Sequence, residues 1–253
     1  MKFTVAKEHR DFFRKHFRIE FSNLFSVEQC EQLMAERLVI LSERLNVSKA
    51  NFNATSVSSQ FMAGFDLWRG NAILKKLILQ KSLAEVAAEL LEVRALRMGY
   101  DQLIPDLSAT AISAPDDPYR NWLLQTSSLQ DISSIQGIMT GLIICLKAPQ
   151  LEDEPIETAS TDLEAKTVTP PIVVTPSLFS TTPGNGVYFS PDAPLDFNDL
   201  AARQGYTYLL IVYTKATSVY CKRENDPHTN EFRQLGYNFG DRLSDRYHPL
   251  IIF

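Results

Sequence analysis

With 253 residues, 45% of them hydrophobic and 22% charged, the chain can bury the core of one large globular domain or two small ones. A formal net charge of -5 excludes a whole-molecule positive field that would draw it to phosphate backbones or anionic lipid. Cys30, Cys145 and Cys221 are odd in number and widely spaced, with no CxxC, which excludes a disulfide framework and a cysteine zinc site and fits a reducing cytoplasm.

The opening segment turns charged at Lys7-Glu8-His9-Arg10-Asp11 before an apolar stretch of signal-peptide length develops, and it reads as a helix. Ser26-Val27-Glu28-Gln29 has the form of a capping box. Val27, Cys30, Leu33, Met34, Leu38, Leu41 and Leu45 then recur at helical spacing. Asn71 is expected to cap a shorter helix through Leu79, and Ser82-Leu83-Ala84-Glu85 a further one with Leu83, Val86, Ala87, Leu90 and Leu91 buried.

From Val93 the pattern becomes β-prone, with strands expected over 93–98, 102–104, 111–113, 137–146, 172–175, 186–189, 206–213 and 218–221. Pro183-Gly184-Asn185-Gly186 reads as a turn. Residues 150–169 carry Glu152, Asp153, Glu154, Glu157, Asp162 and Glu164 with few large apolar side chains, the pattern of an acidic loop inserted in the β region. The apolar runs at 141–146 and 209–213 are too short to span a bilayer, so neither export nor a membrane anchor is expected. Helices followed by many short strands predict a mainly β chain with α: one domain over 1–253, a double-sheet jelly roll under N-terminal covering helices.

Four stretches resemble the phytanoyl-CoA dioxygenase group of iron and 2-oxoglutarate oxygenases. They are Phe17 to Leu45, a strand and entry leading into a long helix; Val93 to Leu103, containing the Asp101-Gln102 pair; Gly141 to Leu146; and Pro183 to Phe189, similar to a Pro-Gly-Asp turn with its strand. The resemblance implies a double-stranded β-helix in which His-x-Asp and a later His hold Fe(II) while a basic residue holds the far carboxylate of 2-oxoglutarate. Such chemistry needs two imidazoles and a carboxylate on one face of the iron.

Carried onto this chain, the His-x-Asp positions fall near Gln125 and Ser127 and the second histidine near Leu195, none of which is a matching ligand. The four histidines are His9, His16, His228 and His248, so none lies between Phe17 and Pro227. A barrel without interior imidazoles is therefore expected. Arg203 stands near the place the group gives its cosubstrate arginine, where a bidentate carboxylate pair is the implied role and a surface loop arginine the alternative; Trp122 lines the pocket or belongs to the core.

Other constellations carry less. His9-Arg10-Asp11 spells His-x-Asp on a helix that precedes the strands. Asp226, His228 and Glu231, with His248, form an imidazole and carboxylate cluster that would need the C-terminal segment to fold back. Cys221 reads as a structural strand-end thiol, with a pKa depressed by the following Lys222 and Arg223 as the alternative. Lys215, Lys222, Arg223, Arg233, Arg242 and Arg246 alternate with Tyr213, Tyr220, Phe232, Tyr237 and Tyr247, a pattern of sheet faces before one of nucleic-acid contact. Walker A, GxSxG and dinucleotide GxGxxG motifs are absent from the sequence.

The expected function is that of a catalytically degenerate dioxygenase-like protein serving as a binding or regulatory module, without a cofactor, for a small acidic metabolite or a protein. One alternative is an active oxygenase using Fe(II) and 2-oxoglutarate through an unusual ligand set, such as Asp131, Asp192 or Asp196 with the C-terminal histidines. The other is a metal-responsive nucleic-acid-binding regulator.

Overall fold

The computed structural model describes residues 4–106, 119, 122, 128–149, 177–195, 199–200 and 203–252. The strand candidates at 111–113 and 172–175, the acidic stretch 150–169, and Gln125, Ser127 and Asp196 lie outside the described residues.

Local signals set most of the helices. Helix α1 spans Lys7–His16 and α2 spans Val27–Arg44. At the start of α2 the capping box closes as expected: Gln29 N donates to Ser26 Oγ at 3.2 Å and Ser26 N donates to Gln29 Oε1 at 2.9 Å. Helix α3 spans Val57–Ala63, and α4 spans Ala72–Ile78, capped by Asn71 Oδ1 accepting from Leu74 N at 2.8 Å. Helix α5 spans Lys81–Leu91. Its N-cap is Gln80 rather than Ser82, because only Leu79 and Gln80 separate it from α4 and Ser82 is already inside its first turn. A four-residue helix, α6, covers Leu129–Ile132.

Strands β1 (Arg18–Phe21), β2 (Leu96–Ile104), β3 (Ile135–Lys147), β4 (Gly186–Phe189), β5 (Thr207–Tyr220) and β6 (Leu250–Ile252) form one antiparallel sheet in the order β1-β4-β3-β5-β2-β6. Among the described residues the architecture is mixed α/β, with the N-terminal helices covering one antiparallel sheet.

Two strands are longer than the sequence suggests. β2 continues through Gly99, where a bulge shifts the register against β5 and an added Cβ would lie 2.8 Å from Thr214 Cγ2. β5 continues through Lys215 and Thr217 because its far end pairs with β3 around a second bulge at Gly137, with φ 99°, and with residues 240–243 on its other edge.

Alternation along the strands makes two cores. Leu209, Ile211 and Tyr213 of β5 face the helical layer with Leu33, Leu41, Leu74 and Leu83, while Tyr208, Leu210 and Val212 face the opposite side. That second core is completed by Phe61, Tyr119, Trp122, Leu195, Phe232 and Tyr237. Burying each such side chain contributes about 1.5–3 kcal/mol before chain entropy is offset, so the sheet is held from both sides. Among the described residues no helix is long and apolar enough to cross a membrane.

Candidate functional site

The edge of β2 organises the polar groups. Beyond the short pairing with β6, residues 64–66 run along that edge: Leu103 N donates to Gly64 O at 2.9 Å, Phe65 bridges to Gln102, and Asp66 N donates to Asp101 O at 2.8 Å. Gly64 is required for this approach, since a Cβ there would sit 2.7 Å from Leu103 Cβ. Asp66 then takes a left-handed conformation, φ 49°, and opens the 3-10 turn Leu67–Arg69.

Asp101 caps that turn from beneath, with Leu67 N donating to Oδ2 at 2.9 Å and Trp68 N to Oδ1 at 3.1 Å. The Asp-Gln pair is thus structural here, for Gln102 Nε2 also donates to Phe61 O and Leu103 O. Burial, with the Asp66 carboxyl beside it, pushes the Asp101 carboxyl up to about 8. Burial pushes Asp66 upward too, against the pull of Arg69, whose Nε donates to Asp66 Oδ2 at 2.7 Å.

Outside this turn lies a cleft of about 360 Å³ lined by Arg44, Phe65, Asp66, Arg69, Glu231 and Phe232, among others. Its cations are already engaged. Arg44 donates to the carbonyls of Ala63, Phe65 and Asp66, and Arg69 donates to Tyr247 O as well as to Asp66. Arg44, Asp66 and Arg69 were missed in the sequence because residues on a helix face and in a short turn carry no motif.

The C-terminal segment folds back over the second core and brings His228 and His248 inside, which corrects the expectation of a core without imidazoles. The His228 ring stacks on Phe65 with centroids 4.3 Å apart and lies 5.5 Å from Phe61. His248 lies edge-on to Phe232 at 4.7 Å, and its Nδ1 bonds to Gly99 O at 2.8 Å. His228 Nδ1 and Nε2 and His248 Nε2 are buried without a hydrogen-bond partner among the described residues. Burial lowers both imidazoles to about 3, so they are neutral at pH 7.

The neighbouring carboxylates do not converge on these rings. Asp226 accepts from His228 N at 2.8 Å and Ser134 N at 2.7 Å, shaping its own turn, and Glu231 accepts from Gln234 Nε2 at 3.0 Å. No group of three His, Cys, Asp or Glu side chains able to hold a metal ion occurs among the described residues. Among the described residues, then, His228 and His248 are not joined by a carboxylate in the two-imidazole, one-carboxylate set of a ferrous site.

The remaining candidates disperse. Leu195 is buried in the second core, and Trp122 lies 5.2 Å from Phe61 and 6.2 Å from Tyr119, ring to ring. Asp131 caps its own helix through Ser128 Oγ at 2.7 Å on an exposed surface, and Asp192 is exposed. His9 Nδ1 accepts from Ala6 N at 3.1 Å within α1, and His16 packs on Phe12. Burial raises the Cys221 pKa, outweighing Arg223, in keeping with a structural strand-end thiol. Tyr213, Tyr220, Phe232 and Tyr237 are core residues rather than exposed stacking platforms.

Arg203 is tied down. Its Nε and Nη2 reach Asp199 Oδ1 at 3.0 and 2.9 Å, and Nη2 donates to Ser177 Oγ at 3.3 Å. Arg203→Gln is expected to cost about 1–2 kcal/mol in a urea titration, the loss of a part-buried charged hydrogen-bond pair.

No protein-family model matches the chain, and no curated protein matches it. Solved structures do. The epimerase SnoN, in complex with Fe3+, alpha ketoglutarate and nogalamycin RO, is 15% identical over 96% of each chain with a TM-score of 0.58. The non-heme alpha ketoglutarate dependent carbocyclase SnoK is 12% identical over 97% of this chain and 96% of its own, with a TM-score of 0.56. The chain shares the fold of these two structures. CT296 from Chlamydia trachomatis is 16% identical over 85% of this chain and 99% of its own, and its TM-score of 0.45 carries no weight for the fold. At these identities the likeness concerns the fold alone.

Proposed function

We propose that the chain is a degenerate member of this oxygenase-like fold, a double-stranded β-helix of the phytanoyl-CoA dioxygenase type that works as a binding or regulatory module rather than by iron-dependent oxidation. The observation that carries the reading is the setting of His228 and His248, whose rings meet Phe65, Phe61, Phe232 and Tyr237 where a ferrous site needs a carboxylate. The pairing of Arg203 with Asp199 supports it, since a 2-oxoglutarate carboxylate would have to displace an existing one.

The three unpartnered imidazole nitrogens favour one rival, an oxygenase with an atypical metal set. Anaerobic incubation of the full chain with Fe(II) and 2-oxoglutarate, followed by desalting and metal analysis, separates the two. The expected result is no stoichiometric iron and no succinate above the protein-free rate. Succinate turnover, with loss of iron uptake in His228→Phe, would establish the rival.

A further inference from the structure

A second cavity, of about 450 Å³, lies two turns earlier along α2, between that helix, the 3-10 helix Lys49–Ala54, the start of α3 and the ends of β2, β3 and β5. Arg37, Asn53, Thr55, Gln60, Lys147 and Thr207 contribute its polar lining, together with Asp106. The Arg37 guanidinium lies over the buried Phe52 ring, 5.8 Å from its centroid, and its Nε is buried without a hydrogen-bond partner among the described residues. A guanidinium carries five donors in a planar fork and is costly to bury unpaired. Neither Arg37 nor Lys147 forms an ion pair among the described residues, in contrast to Arg69, Arg97 and Arg203. Asp106, the acidic residue of the lining, instead accepts from Gly205 N at 2.6 Å through Oδ1.

We propose that this cavity binds a small oxyanion, a carboxylate- or phosphate-bearing metabolite whose charged end is received by the Arg37 fork and the Lys147 ammonium. The ring of Phe52 lies beneath the fork, and the anion would supply a counter-charge that no ion pair among the described residues gives Arg37 or Lys147. Thr55 and Gln60 already bond the backbone, Thr55 Oγ1 donating to Phe52 O and Gln60 Nε2 to Thr55 O, so the wall beside the fork is held in place before a ligand arrives. Placing the acid here rather than at Arg203 gives a ligand class to the binding-module reading on which the assignment rests.

The test is thermal unfolding of the full chain, without iron, against inorganic phosphate and separately succinate, with chloride matched for ionic strength. At least one of the two anions is expected to raise Tm saturably, with a dissociation constant of about 1 mM or tighter. Arg37→Gln is expected to weaken that protection at least about tenfold, and the exposed Lys147→Gln by about three- to fivefold, while Lys215→Gln leaves it unchanged. If Arg37→Gln does not fold, Lys147→Gln decides alone. Absence of protection beyond chloride, or protection that survives both substitutions, overturns the site. Because iron is absent throughout, a negative anion result leaves the ferrous experiment standing, and iron uptake in that experiment leaves this one untouched.

Discussion

Asp101→Ala is expected to be the most damaging single substitution, lowering unfolding free energy by about 3–5 kcal/mol in chemical denaturation. The carboxyl accepts from two buried amides, Leu67 and Trp68, and each donor left without an acceptor costs about 1–3 kcal/mol. The loss spreads, because the turn those amides begin carries Trp68, whose Nε1 donates to Asp66, and Arg69, which reaches across to Tyr247. Asp101→Asn keeps the shape and one acceptor and resembles the protonated carboxyl that burial favours, so it should lose only about 1–2 kcal/mol. Equal losses in the two variants would mean that Asp101 acts through its charge rather than through its acceptors.

His228→Phe is expected to have the opposite sign. The ring already stacks on Phe65 and neither nitrogen is paired, so an apolar ring of similar shape removes two unsatisfied atoms and should raise stability by about 1 kcal/mol at pH 7. The gain should widen in acid. With its pKa lowered to about 3 in the folded state against 6.5 when unfolded, His228 contributes stability that is complete above pH 6.5 and lost as pH falls toward 3. At pH 5 the wild-type chain should therefore have lost about 2 kcal/mol through this residue, and the variant none of it. His248 adds a parallel loss in both proteins. Asp101 works the other way, since its pKa is raised to about 8 and its contribution declines as pH rises from the ordinary carboxylate range through 8. Comparing wild type with variant by urea unfolding at pH 7 and pH 5 cancels these shared terms. A variant less stable than wild type at both values would show that the imidazole holds something its surroundings do not reveal.

These two residues also mark where reading the chain alone stops. Asp101 belongs to a stretch recognised by its resemblance to the oxygenase group, yet its role as the cap of a turn 33 and 34 residues earlier follows from the pairing of 64–66 with β2. His228 sits in a polar stretch, Asp226-Pro227-His228-Thr229-Asn230-Glu231, that reads as an exposed turn; the C-terminal fold-back places it against Phe61 and Phe65.

The amino-acid order by itself determined α2, α4 and the strands β3 and β4, because a capping side chain, a 3.6-residue apolar stripe or a run of β-branched residues acts over a few positions. It also determined that no histidine lies between Phe17 and Pro227. Tertiary structure alone decided that β2 and β5 run on through Gly99 and Lys215, that two late histidines become core, and that Arg37 and Arg44, seven residues apart on one helix, line separate cavities with only Arg44 satisfied. The reason is physical: strand continuation, burial of an imidazole and the partners of a guanidinium depend on what the fold brings alongside from distant parts of the chain, and local propensity yields to that packing.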